Sequence, residues 1–582
     1  MHKFKRIIAV LTAIGMLLAA GCGQQASNET PAKAASTKAA ATKAAAAPAT
    51  TAASQQTAAS QQTTAAPAQA AAEEDGPLTK YASTVTVSHV SQTSPNIKYV
   101  EGESVDDNIQ TRLNMEHLNI NWVNKFVVDS SKMDEKINLA ISSNDLPDVL
   151  SVNIQQLQNM IKAGQAQDIA EIYSKYATDD LKQNLEYGGG FTFTPAKSGN
   201  MLYGLPLPYD YYDNQALLHI RTDWLKKLNL KAPETLEELD AVAKAFVEQD
   251  PDGNGVNDTY GFIMNDKFME GDILTFDAIA QTMNAYARIW IKDSNTGKLV
   301  YGSILPQMKD VLAKFQEYYK AGYIDKEFAV MDRNKSVEAL MAGKIGIEFG
   351  PFWHPSWPLL QSLDNDKNAQ WDTYPVMKNN VIGKPVPKAF PNCSRWVVVR
   401  KGFENPEACV KSMNLWYELM FGSGPLNEEL LQLSYGKYLN MQIHMYAMPY
   451  FFDKPDSNIL VGEEIRAAFD KNDPALAKSA RAKTVWDEIQ TGTPAAWALK
   501  LQYTKDEMIL QSYDQTQKNE FFDAPTATMV TSQATLDQLE YETFTKIIMG
   551  APITDFDAFV DQWKKLGGDQ ITAEVNEWYA NR

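Results

Sequence analysis

One acidic segment of the 582-residue chain places oxygen donors at alternate residues, as in a calcium-binding loop. Positions 1, 3, 5, 7 and 9 of such a loop are occupied by Asp250, Asp252, Asn254, Val256 and Asp258. Gly255 stands at position 6, where the loop turns sharply, and Val256 can offer only its backbone carbonyl. Position 12, usually a bidentate Glu, is Gly261. The pattern predicts a structural calcium ion, and the alternative is an acidic surface turn without a metal.

The sequence contains no motif of a hydrolytic or redox enzyme. The six histidines form no zinc motif such as H-E-x-x-H, and neither a G-x-S-x-G elbow nor a phosphate-binding loop occurs. A catalytic pair could still be drawn from the 72 acidic residues, because the separation such a pair needs, roughly 5–9.5 Å, cannot be read from sequence. We therefore expect a protein that is not an enzyme, and a secreted polysaccharide-active enzyme is the alternative.

The N-terminus has the order of features found in export signals. Basic residues precede an apolar run at 7–20, and Leu-Ala-Ala-Gly leads directly to Cys22. The run is shorter than the roughly 20 apolar residues of a bilayer span. Cys22 and the residues before it resemble a bacterial lipobox, which implies a signal peptide at 1–21 and lipidation of Cys22. Because several acyl chains hold a protein firmly, we expect lipid anchoring on the extracytoplasmic face of the cell membrane.

The segment that follows, 22–76, consists largely of Ala, Thr, Gln, Ser and Pro. It can bury too little apolar surface to offset its chain entropy, so we expect a disordered stalk. The formal net charge of −18 argues against nucleic acid as a partner. Besides Cys22, the chain has only Cys393 and Cys409, so no disulfide framework holds the fold, and whether these two pair stays open. We expect a monomer.

Beyond the stalk, strand-like and helix-like segments alternate. Strands are predicted near 85–90, 120–127 and 146–152, with a helix at 106–118 between the first two. Apolar residues that recur with helical spacing from Met133 onward predict a second helix. Alternation of this kind predicts parallel strands joined by crossover helices, hence an α/β sheet.

Five segments in characteristic order carry a family resemblance: 143–150 (SNDLPDVL), 203–206 (YGLP), 221–225 (RTDWL), 250–258 and 343–353 (GKIGIEFGPFW). They resemble the bacterial extracellular solute-binding proteins of the maltose-binding-protein-like type, which include Gram-positive lipoproteins of oligosaccharide uptake. The resemblance implies a periplasmic-binding-protein type II fold, with two α/β lobes joined by a multi-strand hinge and a cleft between them. The implied boundaries are 80–207 plus 378–435 for lobe one and 208–377 plus 436–582 for lobe two.

The resemblance also implies a function. A protein of this kind is the extracytoplasmic substrate-binding lipoprotein of an ABC importer, and it delivers its solute to the transmembrane subunits of the permease. The solute is expected to be a carbohydrate, and an oligosaccharide in particular. A secreted polysaccharide-active enzyme and a solute-binding surface sensor or adhesin stay open as alternatives.

Candidate solute-binding residues follow from the same resemblance. Segment 350–353 resembles the segment that supplies a stacking Trp to the cleft of maltose-binding protein. Trp353 is therefore expected to stack on the C–H face of a sugar ring. The alternative for Trp353 is burial within the lobe. The other candidates lie next to the expected hinge or at strand ends, and they are Tyr209, Tyr211, Asp213, Arg395, Trp396 and Asn153.

Overall fold

A computed structural model describes residues 75–93, 97–210, 212, 214–389, 393–422, 424–435 and 448–582. Cys22, the expected signal peptide and nearly all of the expected stalk lie outside the described residues, as do Tyr211 and Asp213. Within the described ranges, no helix combines the length and the apolar character needed to cross a membrane.

Strands and helices alternate from residue 85 onward, and the early elements lie within three residues of their predicted bounds. The strands are β1 (Val85–Thr93), β2 (Ile120–Asp129), β3 (Val149–Asn153), β4 (Lys197–Ser198), β5 (Met201–Leu202), β6 (Leu205–Pro208), β7 (Leu217–Arg221), β8 (Trp290–Lys292), β9 (Leu299–Tyr301), β10 (Ile347–Gly350), β11 (Trp371–Pro375) and β12 (Cys393–Val399). The helices are α1 (Ile109–Leu118), α2 (Met133–Ser143), α3 (Ile154–Lys162), α4 (Ala170–Tyr176), α5 (Asp179–Leu185), α6 (Thr222–Lys227), α7 (Leu236–Glu248), α8 (Thr275–Ala280), α9 (Pro306–Ala321), α10 (Arg333–Met341), α11 (Leu360–Asn365), α12 (Glu407–Phe421), α13 (Pro425–Tyr435), α14 (Ser457–Lys471), α15 (Ala480–Gln490), α16 (Pro494–Leu501), α17 (Glu507–Ser512), α18 (Ala527–Ile548), α19 (Asp555–Trp563) and α20 (Asp569–Asn581).

Lobe one is built on two small sheets. β1 and β2 pair in parallel through the crossover helix α1, as the alternating pattern predicted. β12 lies between β3 and β6 and is antiparallel to both. Since β3 and β6 pair with the same strand, they run in the same direction and end at the same edge. Both sheets pack on one hydrophobic core, which includes Val87, Leu150 and Val397.

Lobe two is built around β7, in which every residue is buried. β10 and β11 flank β7, and both are antiparallel to it. Its core is shared with α7, α9 and the C-terminal helices, which contribute Phe246, Phe315 and Phe544. A separate helical layer, α14–α17, packs on Leu217 of β7 and on Phe352. The expected α/β fold with two lobes is confirmed.

The chain crosses between the lobes at positions that differ from two expected boundaries. Met377 lies in the core of lobe two, and Nζ of Lys388 contacts both carboxylate oxygens of buried Asp277 at 3.1 and 2.9 Å. Among the described residues, the core of lobe one next includes Cys393, where 378 was expected, and it also includes Met448, Tyr450 and Phe452, beyond the expected end at 435. The sequence did not indicate this because segment 378–389 is attached to lobe two by contacts between residues distant in the chain: the Lys388–Asp277 ion pair, hydrogen bonds to Gln281, and the packing of Val386 on Tyr286.

Candidate functional site

A cavity of about 350 Å³ opens at the edge of lobe one where β6 ends. Its polar lining comes from the ends of β1 and β2, from α2 and β3, and from the start of β12, namely Gln92, Ser130, Asp134, Ser151, Ser394 and Arg395. Its apolar lining includes Leu207, Met448 and Phe451. Polar groups from several elements thus converge on one space, as in sites for small molecules.

Arg395 is held at this cavity by two elements. Its Nε donates to Oγ of Ser151 at 3.0 Å, and Nη2 donates to the carbonyl oxygen of Ser151 at 2.7 Å. Nη1 donates to Oδ1 of Asp134 at 3.0 Å. Because the side chain is still 31% exposed, a fixed planar guanidinium faces the cavity. Such a group can donate to sugar hydroxyls or to a carboxylate.

Aromatic side chains also border the cavity. Tyr209 directly follows β6 and is half-buried, and Phe451 is 36% exposed. The backbone N–H of Asp453 donates to the carbonyl oxygen of Pro208 at 2.7 Å, so the segment that carries Phe451 is tied to the end of β6. Sequence reasoning found Tyr209 and Arg395 but missed Phe451, although the aromatic run at 450–452 was a signal. The polar groups at the ends of β1 and β2 were missed too, although ligands of open α/β sheets bind at the carboxyl ends of strands and this tendency points to them.

Trp353 lies in lobe two, beyond the end of β10. Gly350 ends that strand, and a Cβ there would overlap Nδ1 of His354, so the backbone approaches closely only because the residue is glycine. The half-buried ring of Trp353 stacks on Trp357, with centroids 6.3 Å apart and planes at 24°. The guanidinium of Arg333 lies 4.3 Å from the ring centroid of Trp357. Trp353 and Trp357 thus form an aromatic surface that Arg333 holds in place through its contact with Trp357.

The aromatic pair and the cavity lie at the two ends of one crossing segment. Segment 209–216 begins at the cavity with Tyr209 and leads into Leu217, which pairs with Gly350. Trp353 itself is not among the residues that line the cavity. The structure therefore brings Tyr209 and Arg395 together and places Trp353 across the hinge from them.

A buried ion network lies behind Trp353. Nδ1 of His354 lies 2.7 Å from Oε1 of Glu348, and Nε2 lies 3.3 Å from Oδ2 of Asp272. Burial lowers the pKa of His354, but these carboxylates outweigh burial and hold the pKa at about 8. Burial would raise the pKa of Asp272, yet Arg333 and His354 hold it below its ordinary value. The network therefore carries both signs of charge beneath the aromatic surface.

Two other expected contacts have structural roles. Trp396 is 1% exposed, and its Nε1 donates to the carbonyl oxygen of Thr192 at 2.8 Å. Successive strand residues point to opposite faces of a sheet. Arg395 faces the cavity, so the side chain of Trp396 points into the core, and this corrects the expectation that Trp396 contacts the solute. Asn153 accepts the N–H of Gln156 at 3.0 Å and caps α3, and it is not among the residues that line the cavity.

Buried carboxyl groups lie beside the crossing segments. Asp210 accepts the N–H groups of Tyr212 at 2.9 Å and Asn458 at 2.8 Å, and burial raises the pKa of Asp210 to about 7. Glu507 is fully buried against Gly462 of α14, and neither of its carboxyl oxygens has a hydrogen-bond partner among the described residues. Burial, with the charge of Asp210, raises the pKa of Glu507 to about 9, so this group is an uncharged acid at neutral pH.

Loop 250–258 holds two of its three carboxylates on one amide and the third on backbone N–H groups. Asp250 accepts two backbone N–H groups of its own turn at 3.1 and 3.2 Å. Nδ2 of Asn254 donates to Asp252 at 2.8 Å and to Asp258 at 3.1 Å. Burial, followed by the hydrogen bond and charge of Asp250, raises the pKa of Asp252. Carboxylates this close repel one another, which a divalent cation would relieve.

The donors of this loop therefore fit calcium, although position 12 is Gly261 and provides no side-chain ligand. The N–H of Gly261 donates to the carbonyl oxygen of Tyr323 at 2.9 Å, and a Cβ on Gly261 would lie 3.1 Å from the Tyr323 side chain. A Glu there would require the neighbouring side chains to shift. Nζ of Lys344 lies 3.3 Å from Oδ2 of Asp258 and offsets part of the negative charge. A bound ion would be held by the side chains of Asp250, Asp252, Asn254 and Asp258 and by the carbonyl of Val256, and it would stiffen the loop.

A comparison with models of protein families identifies the family of this chain. Residues 112–417 match the model of bacterial extracellular solute-binding proteins. The chain belongs to this family.

Two curated relatives come from Bacillus subtilis (strain 168). Lipoprotein LipO is 30% identical over 222 residues, which cover 38% of this chain and 42% of LipO. The polygalacturonan/rhamnogalacturonan-binding protein YtcQ is 29% identical over 249 residues, which cover 41% of this chain and 45% of YtcQ. The matches thus span less than half the length of either relative.

Solved structures share the fold over most of the chain. The HMO-binding, ABC-transporter-associated solute-binding protein of Bifidobacterium longum infantis ATCC 15697 has a TM-score of 0.59 at 16% identity and covers 85% of this chain and 98% of its own. The alginate-binding protein AlgQ2, solved without calcium ion, has a TM-score of 0.58 at 16% identity, with 86% and 99% covered. The S. pneumoniae substrate-binding protein FusA in complex with kestose has a TM-score of 0.58 at 19% identity, with 85% and 99% covered.

Proposed function

We propose that this protein captures an oligosaccharide outside the cell and delivers it to the permease of an ABC importer. The cavity in which Arg395, Ser151, Tyr209 and Phe451 meet is the observation that carries the proposal. Sugars present hydroxyls at their edges and C–H groups on their faces, so fixed donors beside open aromatic surface suit them. The saccharide ligands of YtcQ and FusA support this ligand class.

Closure of the two lobes would complete the site. Tyr209 and Trp353 stand at opposite ends of the crossing segment 209–216, so rotation about this segment changes the distance between the cavity and the aromatic pair. A solute that contacts both stabilises the closed state over the open one by the free energy of the added contacts. Binding of this kind requires no chemical transformation, and incubation with oligosaccharides should therefore release no product.

A thermal-shift screen of neutral and acidic oligosaccharides, followed by calorimetry, tests the proposal. A ligand at 100 times its Kd stabilises the folded chain by about 2.7 kcal/mol. Tyr209→Ala should weaken binding roughly 5- to 150-fold, by analogy with the 1–3 kcal/mol of aromatic stacking on flat rings. Tyr187→Ala, which alters a tyrosine of the same lobe that is 37% exposed and outside the cavity lining, is the matched control. If no saccharide raises the melting temperature, or both variants bind equally well, the cavity is not the site.

Trp353→Ala tests the part played by lobe two. The ring is only half-buried, so we expect the same roughly 5- to 150-fold loss of affinity with a small change in melting temperature. A buried tryptophan would behave differently, because its truncation costs about 3–5 kcal/mol of folding stability. Unchanged affinity together with a large loss of stability would assign Trp353 to the core.

We further propose that loop 250–258 binds calcium in a structural role. The carboxylates of Asp252 and Asp258, which share the amide of Asn254, support this, as does the EF-hand named for the substrate-binding protein FusA, which has the same fold. Millimolar calcium should raise the melting temperature relative to excess chelator, and Asp252→Ala should abolish the difference. Asp293→Ala, in a different surface turn, should retain it. Equal melting of the unaltered protein under both conditions would make the loop a turn without a metal.

A further inference from the structure

A group of metal-ligating side chains stands apart from both the cavity and the calcium loop. Within the part of the chain that the structure describes, one trio of His and acidic residues has its donor atoms within 4.8 Å of one another: Glu116, His117 and Glu429. Glu116 and His117 belong to the last turn of α1, and Glu429 belongs to α13. Two helices far apart in sequence therefore bring these donors together.

The imidazole of His117 lacks the hydrogen bond that its position calls for. Its Nε2 lies 3.1 Å from Oε2 of Glu429, yet this buried nitrogen has no partner with hydrogen-bond geometry. A buried polar atom left unpaired is costly, and native structures satisfy nearly all such atoms. An ion between the imidazole and the carboxylates would satisfy all three donors at once.

The surroundings favour a cation, and the trio stays open to solvent. The C-terminal end of a helix carries partial negative charge, which Nζ of Lys80 offsets in part by donating to the backbone carbonyl of Glu116 at 2.6 Å. Lys80 occupies the carbonyl and leaves the carboxylate of Glu116 exposed. The side chains of His117 and Glu429 are 24% and 37% exposed, so water can complete the coordination of an ion.

We propose that Glu116, His117 and Glu429 bind a divalent transition-metal ion of the zinc class and thereby link α1 to α13. An imidazole with two carboxylates suits zinc and its neighbours, whereas calcium and magnesium prefer all-oxygen sites such as loop 250–258. Leu430, next to Glu429, is buried in the core of lobe one, so α13 is anchored and a metal would fasten it further. This proposal is independent of the solute and of calcium.

The histidines make the site testable with zinc alone. The other described histidines, His89, His219 and His354, are at most 1% exposed, so His117 is the one in the described ranges that zinc can reach. Calorimetric titration of chelator-stripped protein with zinc chloride, in millimolar calcium that competes with zinc for the oxygen donors of loop 250–258, should show one site. His117→Ala and Glu429→Gln should each weaken it at least about tenfold, since even changes that only orient a ligand cost about 10- to 100-fold.

Glu428→Gln is the matched control, because Glu428 is exposed on the same helix and is not one of the three donors. It should leave zinc affinity unchanged. Cooperative melting of each variant shows that it folds, and Glu429→Gln, which keeps the side-chain shape, carries the test if His117→Ala does not fold. Absence of zinc binding would overturn the proposal, and equal affinity in the unaltered protein and in Glu429→Gln would overturn it by showing adventitious binding only.

Discussion

Replacement of Glu507 by Gln should make the protein more stable, and increasingly so as the pH rises. The side chain is fully buried without a hydrogen-bond partner among the described residues, so the folded state keeps it protonated, with a pKa of about 9. The unfolded chain ionises it at its ordinary value of 4.5. Because the folded pKa is the higher one, the stability that this group contributes is complete below 4.5 and is lost as the pH rises towards 9.

The size of the effect at a given pH follows from the difference between that pH and the unfolded-state pKa of 4.5. At pH 7 the unfolded chain has gained from ionisation over about 2.5 pH units, and at 1.36 kcal/mol per unit the loss of stability is about 3 kcal/mol. Gln keeps the shape and cannot ionise, so Glu507→Gln removes this loss. The variant should equal the unaltered protein near pH 4 and exceed it by about 3 kcal/mol at pH 7.

Urea unfolding of both proteins between pH 4 and pH 8 measures this difference directly. Other buried groups titrate over the same range, but they are common to both proteins and cancel in the comparison. Glu577→Gln, at an exposed position of α20, is the control and should show no such dependence. A difference between Glu507→Gln and the unaltered protein that is independent of pH, or a variant that is less stable at pH 7, would refute the reasoning.

Three further changes test other features. Trp396→Ala should cost about 3–5 kcal/mol in urea unfolding and leave solute affinity unchanged, because the ring fills the core of lobe one; reduced affinity at full stability would contradict this. Arg221→Ala should cost about 1.5–3 kcal/mol in the same assay, because buried Arg221 donates charged hydrogen bonds to the partly exposed Asp223 and Asp366. A change below about 1 kcal/mol would show that these bonds are not needed. Cys22→Ser should release the protein from the membrane fraction with its melting temperature unchanged, and retention on membranes after signal removal would exclude lipidation.

Features that depend on neighbouring residues could be predicted from the sequence. β1, α1 and β2 follow from apolar spacing and turn residues over some 45 residues, and they occur where predicted. The position of Arg395 at a strand end pointed to the cavity. Trp396, its neighbour, was misassigned because side-chain direction depends on the register of β12 against β3, and no local pattern specifies a pairing between strands so far apart in sequence.

Features that depend on distant contacts could not be predicted. The boundary near residue 390 depends partly on Lys388 reaching Asp277 and on Val386 packing against Tyr286, and neither residue carries a local sign of its distant partner. The aromatic run at 450–452 was visible in the sequence, but the position of Phe451 at the cavity depends on distant contacts, with Asp453 bonded to Pro208 and Phe451 packed on Trp416. The trio around His117 likewise depends on how α13 packs against α1.

The central position of β12 has a consequence for the order in which the chain can fold. β3 and β6 do not pair with each other, and both pair with β12, which begins at Cys393. β12 is synthesised after the three strands of the lobe-two sheet, although the C-terminal helices of the lobe-two core follow later. Until β12 has been synthesised, lobe one exposes unpaired strand edges. Pairing over such sequence separations is slow, and exposed edges promote aggregation. A chain truncated before β12 should thus fail to form the sheet of lobe one, even though it contains most of that lobe's other strands and helices.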